Sequence, residues 1–221
     1  MLSGKLCICL HDISSSNYVY SFDKDRLESM VRFLLAREYR FVKAQDYYSI
    51  EPSENVACLT FDDGLRSLEN VVGIIEKFRI PSTFFICTEF LATGYSSFLS
   101  KKHINEYSRH ELLEIGGHGS SHIDLQVLHK DDIEFEVMRC KEKLFDILGY
   151  NPRCFAYPFG SFNDQVAMIV ESHFDFAFSV FGTRGGRDKY SIPRFDLNNS
   201  FKIFDLKSLY LLNKYRNIRF I

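Results

Sequence analysis

Short apolar runs alternate along the chain with longer stretches in which apolar residues return every three or four positions. The short runs predict strands at Lys5–Leu10, Val56–Phe61, 83–87, Leu113–Gly117, 153–157 and 176–180. The longer stretches predict helices. Residues 21–38 carry Leu27, Met30, Val31, Leu34 and Leu35 on one face, and residues 65–78 form a second helix that Pro81 stops from beyond. Ser108-Arg-His-Glu111 reads as a capping box opening a short helix. Residues 131–148 place Ile133, Val137, Cys140, Leu144 and Leu148 on one stripe, and residues 164–172 form another helix. The basic, apolar tail from 201 to 221 predicts a last helix or strand. Strands alternating with helices imply a parallel α/β sheet. With no repeat, linker or low-complexity stretch, residues 1–221 are expected to form one domain.

The polar residues able to do chemistry recur just after the strands. His11-Asp12 follows the first, Asp62-Asp63-Gly64 the second, His118 and His122 the fourth, and Pro158-Phe159-Gly160 the fifth. Active sites of parallel barrels are built at the C-terminal ends of several strands at once. A closed, irregular barrel therefore fits these placements better than an open sheet.

Composition narrows the function. A formal net charge of -2, with both signs spread along the chain, argues against nucleic acid as the main partner. No phosphate-cradling glycine fingerprint occurs. No run is apolar enough to span a membrane, and Met1 is followed closely by a core strand with no leader pattern. Six cysteines sit mostly inside apolar runs without framework spacing, which reads as reduced thiols in a cytoplasmic protein.

Two adjacent carboxylates at a strand end point in different directions, so one can bind a metal while the other takes a proton; Asp-Gly is also a common turn. Histidines four apart at His118 and His122 can approach one metal from a helical turn or a tight loop. With Asp63 they give two nitrogens and one oxygen with open positions, the stoichiometry of a catalytic site. Asp62 is then the base, and an imidazole at His11 on the same rim can protonate a leaving amine.

At these residues the chain resembles the polysaccharide deacetylase superfamily, also called NodB-homology or carbohydrate esterase family 4. Thr60-Phe-Asp-Asp-Gly64, His118-Gly-Ser-Ser-His122 and Phe155-Ala-Tyr-Pro-Phe-Gly160 are similar to its first three motifs, in order. The chain departs from the usual pattern in two places. No histidine follows His173, where most members supply the acid from a C-terminal Leu-x-His, and Ala156 stands where many have arginine. Cys9-Leu-His-Asp-Ile13 resembles the poly-N-acetylglucosamine deacetylase branch, which implies that His11 replaces the missing acid. The resemblance implies a distorted (β/α) barrel of about seven strands and a carbohydrate substrate. It also implies metal-assisted removal of an N-acetyl group. One divalent metal, zinc first with cobalt, nickel or iron as alternatives, would sit on Asp63, His118 and His122, with an oxyanion contact from a backbone N–H near Phe159. Arg194 or Arg153 is expected to hold Asp62 ionised. Rival readings are a deacylase or deformylase of a lipid- or nucleotide-linked sugar and a non-catalytic carbohydrate-binding descendant.

Overall fold

All six apolar runs become strands in the computed structural model of the chain, which describes residues 4–92, 96–180, 184 and 188–198. The predicted tail element lies outside the described residues. In order, the elements are β1 (Lys5–Leu10), α1 (Lys24–Leu35), β2 (Arg40–Phe41), α2 (Ala44–Tyr47), β3 (Val56–Phe61), α3 (Glu69–Phe78) and β4 (Ser82–Ile86). They continue with α4 (Lys101–Ser108), β5 (Leu113–Gly117), α5 (Lys130–Leu148), β6 (Cys154–Ala156), α6 (Asp164–His173) and β7 (Phe176–Ser179). Two short strands follow, β8 (Ile192–Pro193) and β9 (Phe195–Asp196).

The sheet order is β8-β7-β6-β5-β4-β3-β1-β9, with β2 paired to β3, and every strand pairing is parallel. The two ends of this order are neighbours in sequence, separated only by Arg194. Residues 192–196 therefore act as one segment that pairs first with β7 and then with β1, and the ring is nearly closed. Counted that way, and with the two-residue β2 lying off the ring, the barrel has the seven staves expected.

Strand alternation sorts side chains between two environments. On β1, Leu6, Ile8 and Leu10 pack outward among the α1 and α3 residues Leu27, Val31 and Ile74. Cys7 faces the interior with Cys58, Phe85, Cys154, Ala156 and Phe178. A second outer layer joins Val137 of α5 and Val166 of α6 to Phe155 and Tyr157. Gly116 is required inside the barrel, because a Cβ there would lie 2.5 Å from the Phe85 ring.

The helix expectations need two corrections. The first helix starts at Lys24, since Asp23 caps it by accepting from Asp25 N at 2.8 Å and Arg26 N at 3.2 Å. It closes at Leu35, before Glu38 turns to positive φ. Ser108 does not open a helix; it ends α4, its hydroxyl donating back to Asn105 O at 2.8 Å. The capping residue is Ser100, whose N–H donates to His103 Nδ1 at 2.9 Å. Only Ile104 of α4 is fully buried, so the helix leaves almost no periodic signal in the sequence. No helix among the described residues is long and apolar enough to cross a membrane.

Candidate active site

Asp62 continues the inward register of Val56, Cys58 and Thr60 one step past β3, and is 2% exposed. Its carboxylate meets the guanidinium of Arg194 in two parallel bonds, Nη1 to Oδ1 and Nη2 to Oδ2, each 2.7 Å. Arg194 is fully buried and also donates from Nη1 to Thr60 Oγ1 at 3.0 Å. Cys9 donates its thiol to Asp62 Oδ2 at 3.3 Å. Burial opposes the Asp62 charge, but Arg194 and then His118 hold the carboxyl down at about 2. Burial opposes the Arg194 charge too, and Asp62 overrides it, so the guanidinium stays protonated. The other candidate arginine, Arg153, is half exposed and pairs with Asp175 at 2.6 Å.

Asp63 turns away from Asp62 by adopting φ 71°, followed by Gly64 at φ 78°. The turn sends its Oδ1 towards His118 Nε2 at 3.3 Å and His122 Nε2 at 3.1 Å. His118 extends β5 by donating its N–H to Ile86 O, and its ring Nδ1 lies 2.8 Å from Ala156 O. A carbonyl only accepts, so Nδ1 carries a proton and Nε2 is the ring atom turned to Asp63. The His118–His122 segment is a tight loop, with Gly119 at φ 75° and His122 at φ 57°.

Among the described residues, five that are not glycine have positive φ: Glu38, Asp63, Arg79, His122 and Phe159. Arg79 and Glu38 follow the ends of helices, where such a turn is ordinary. The other three, Asp63, His122 and Phe159, gather in this site, and strained backbone of this kind clusters at ligand-binding and catalytic positions. The Phe159 ring, 56% exposed, lies 4.8 Å from that of His122.

Asp63, His118 and His122 offer one donor atom each within 4.8 Å of one another. Although both imidazole nitrogens are near it, buried Asp63 Oδ1 has no hydrogen-bond donor of adequate geometry. Burial works against the Asp63 charge, yet the two imidazoles hold it well below the usual carboxylate range. His118 is drawn upward by Asp62 and Asp63 against its own burial. The cluster thus calls for positive charge at its centre. Donor atoms around a four-coordinate zinc ion, at about 2.0–2.1 Å, are about 3.3 Å apart, which matches the spacings found. The donor set fits a divalent metal.

Three contributors escaped the sequence reading. Asp196 Oδ1 lies 3.5 Å from His11 Nδ1, placed there because β9 pairs with β1 in the register Cys9↔Asp196. Cys9, a buried thiol within the Cys9-Leu-His-Asp-Ile13 segment, gains a contact with Asp62 that the sequence does not predict. Glu136, buried on α5, accepts from Ser120 N at 3.1 Å, Ser121 N at 2.9 Å and the Ser121 hydroxyl at 2.8 Å. A glutamate on the stripe of Ile133, Val137 and Cys140 is a signal the sequence did carry. Glu136→Ala, which leaves the buried Ser120 amide and the part-buried Ser121 amide without their acceptor, is expected to cost about 1–4 kcal/mol of stability. Metal affinity should weaken at least about 10-fold, measured by thermal unfolding and competitive chelation; unchanged metal affinity would show that Glu136 does not position the loop.

A sequence profile of the polysaccharide deacetylase family matches residues 49–173, more than half of the chain. The chain belongs to that family of carbohydrate N-deacetylases. The match covers Asp62, Asp63, His118 and His122 and leaves out His11 and Arg194. A poly-β-1,6-N-acetyl-D-glucosamine N-deacetylase of Staphylococcus aureus is 25% identical over 209 residues, covering 84% of this chain and 71% of the relative. IcaB from Ammonifex degensii superposes with a TM-score of 0.82 at 20% identity, over 95% of this chain and 96% of that one. The Streptococcus pyogenes deacetylase PplD, solved with acetate, gives 0.80 at 20% identity, over 94% and 98%. These likenesses establish the fold as a NodB-type barrel.

Proposed function

We propose that this protein hydrolyses the N-acetyl group of an N-acetylated amino sugar or glycan, with a divalent metal held by Asp63, His118 and His122. The observation that carries this reading is the convergence of those three donors beside a buried, arginine-paired carboxylate. Zinc is the first candidate by donor type, with cobalt, nickel and iron acceptable to the same set. The Staphylococcus aureus relative supports a polymer of N-acetylglucosamine as the substrate class.

When bound, the metal supplies positive charge that acidifies a nearby water and polarises the acetamide carbonyl. Asp62 takes the proton from the attacking water, and the oxygen adds to the carbonyl carbon. Arg194 keeps Asp62 ionised and fixes its plane through both oxygens. The amides of Gly160 and Ser161 donate to Tyr157 O and Pro158 O, and the Phe159 N–H of the same turn is the donor assigned to the developing oxyanion. His11 then protonates the amine nitrogen as the C–N bond breaks, and Asp196 steadies the imidazolium. Acetate and a free amine are the products.

The test is metal content together with acetate release from N-acetylglucosamine oligomers, on the wild type and Asp63→Asn. One metal per chain with acetate release, both lost in the variant, is the expected result. A metal-replete wild type that holds no metal sinks the reading.

His11→Ala is expected to retain metal and lose about 10²–10⁴-fold in acetate release from the amide substrate. Its hydrolysis of 4-nitrophenyl acetate should fall far less, because an aryl oxide leaves without a proton. Equal losses on both substrates would remove His11 from the acid role.

A further inference from the structure

Asp63, His118 and His122 are not the only donor cluster at this rim. Pleating of β1 sends Cys9 and His11, two residues apart, to the same inner face, and the Cys9↔Asp196 register sets Asp196 beside them. The Cys9 sulfur, a His11 ring nitrogen and an Asp196 carboxylate oxygen lie within 4.8 Å of one another. Two of these atoms are anomalous: His11 Nδ1 and Asp196 Oδ1 are both buried without a hydrogen-bond partner. They face each other at 3.5 Å, too far for a good bond. Buried polar atoms left unsatisfied in pairs are what a site for a small charged ligand presents.

The geometry points to a second cation site, built by Cys9, His11 and Asp196, that takes a thiophilic divalent ion such as zinc or cadmium. A sulfur, an imidazole nitrogen and a carboxylate oxygen suit such ions and discriminate against magnesium and calcium, which prefer oxygen alone. Among the described residues no other cysteine belongs to a three-donor group, so the selectivity is local. Binding releases the Cys9 proton to solvent, and the new thiolate, Asp62, Asp63 and Asp196 together offset the charges of two metals and Arg194 to within one unit. The entrance is on the His11 and Asp196 side, since both are partly exposed while Cys9 is fully buried.

Occupation has a consequence that rests on the functional reading above. A metal on His11 Nδ1 prevents the doubly protonated imidazolium from forming, and the Nε2–H of a metal-bound ring is a much weaker acid, so His11 no longer serves the leaving amine. The site is thus an inhibitory one, filled after the first: the enzyme that needs one equivalent of zinc is stopped by the next.

Cadmium titration of the metal-free protein tests the site without relying on turnover. The wild type is expected to bind two equivalents, one of them with an ultraviolet thiolate-to-metal charge-transfer band. Cys9→Ser should bind one equivalent with no band, and Asp196→Asn should weaken the banded site at least about 10-fold. Asp63→Asn should bind one equivalent and keep the band. A wild type that stops at one equivalent, or a band that survives in Cys9→Ser, overturns the proposal. So does a band that disappears in Asp63→Asn, because the two sites would then be one. Acetate release from the wild type should fall as zinc rises above one equivalent, a fall absent from the Cys9→Ser profile. A banded protein that never releases acetate keeps the site and defeats the deacetylase reading; acetate release without any band does the reverse.

Discussion

Asp62→Asn is expected to bind its divalent metal as the wild type does and to lose about 10²–10⁴-fold in acetate release. The amide has nearly the shape of the carboxylate but leaves the buried Arg194 charge uncompensated, so the variant should also lose stability and is compared at a pH and temperature where it stays folded. What it lacks is the basic oxygen. A general base in this position contributes on that scale, and the neighbouring Asp63 is turned away by its φ of 71°. Asp62 Oδ2 lies 3.9 Å from His118 Nε2, whereas Asp63 Oδ1 lies 3.3 Å from it, so metal retention should separate the two aspartates cleanly. Metal analysis and acetate release on matched preparations check this. An Asp62→Asn chain that turns over normally, or one that sheds its metal, would mean that the roles of the neighbouring aspartates have been assigned wrongly.

Arg194→Met is expected to unfold about 3–5 kcal/mol more easily and to shift the acid limb of the activity profile upward. Removing one partner of a buried ion pair leaves the other charge without compensation, which is the source of that cost. The sign with pH follows from Asp62. Its folded value of about 2 lies below the ordinary 3.8, so the pair stabilises the protein above about pH 4. That contribution, about 2 kcal/mol, is lost as pH falls from about 4 to about 2. Without the guanidinium, burial pushes the carboxyl upward, and Asp62 becomes protonated at pH values where the wild-type base is free. The double variant Asp62→Asn/Arg194→Met should recover much of the lost stability, since no buried charge then stands alone. Denaturant unfolding at several pH values, with the rate profile, checks both halves. Equal stability of Arg194→Met and the wild type at pH 7 would make the pair energetically idle.

Residues at the strand ends were legible because their positions are local. A strand of period two followed by polar residues places those residues at the rim wherever the strand sits. For this reason Asp62, Asp63, His118 and His122 group from the sequence alone, and the tight-loop alternative for the histidine pair is the one the chain adopts. The amphipathic stripe of α5 was equally readable. α4 was not: one buried side chain, Ile104, gives no period, and its boundary is set by packing against β5 and α5.

Arg194 marks the limit of local reading. The sequence offered two arginines for Asp62, and composition gave no ground to choose between them. Arg194 lies 132 positions from its partner, and it arrives there because residues 192–196 leave β7 and join β1 at the point of ring closure. Asp196 meets His11 for the same reason, through the register of β9 on β1. The sequence by itself determined the alternation of strands and helices, the four rim motifs and the donor types suited to a metal. Only the tertiary structure decided which distant charge neutralises Asp62 and which carboxylate faces His11. Side-chain chemistry and period are written residue by residue, whereas closure of a barrel is a cooperative outcome of many weak contacts that no single segment encodes.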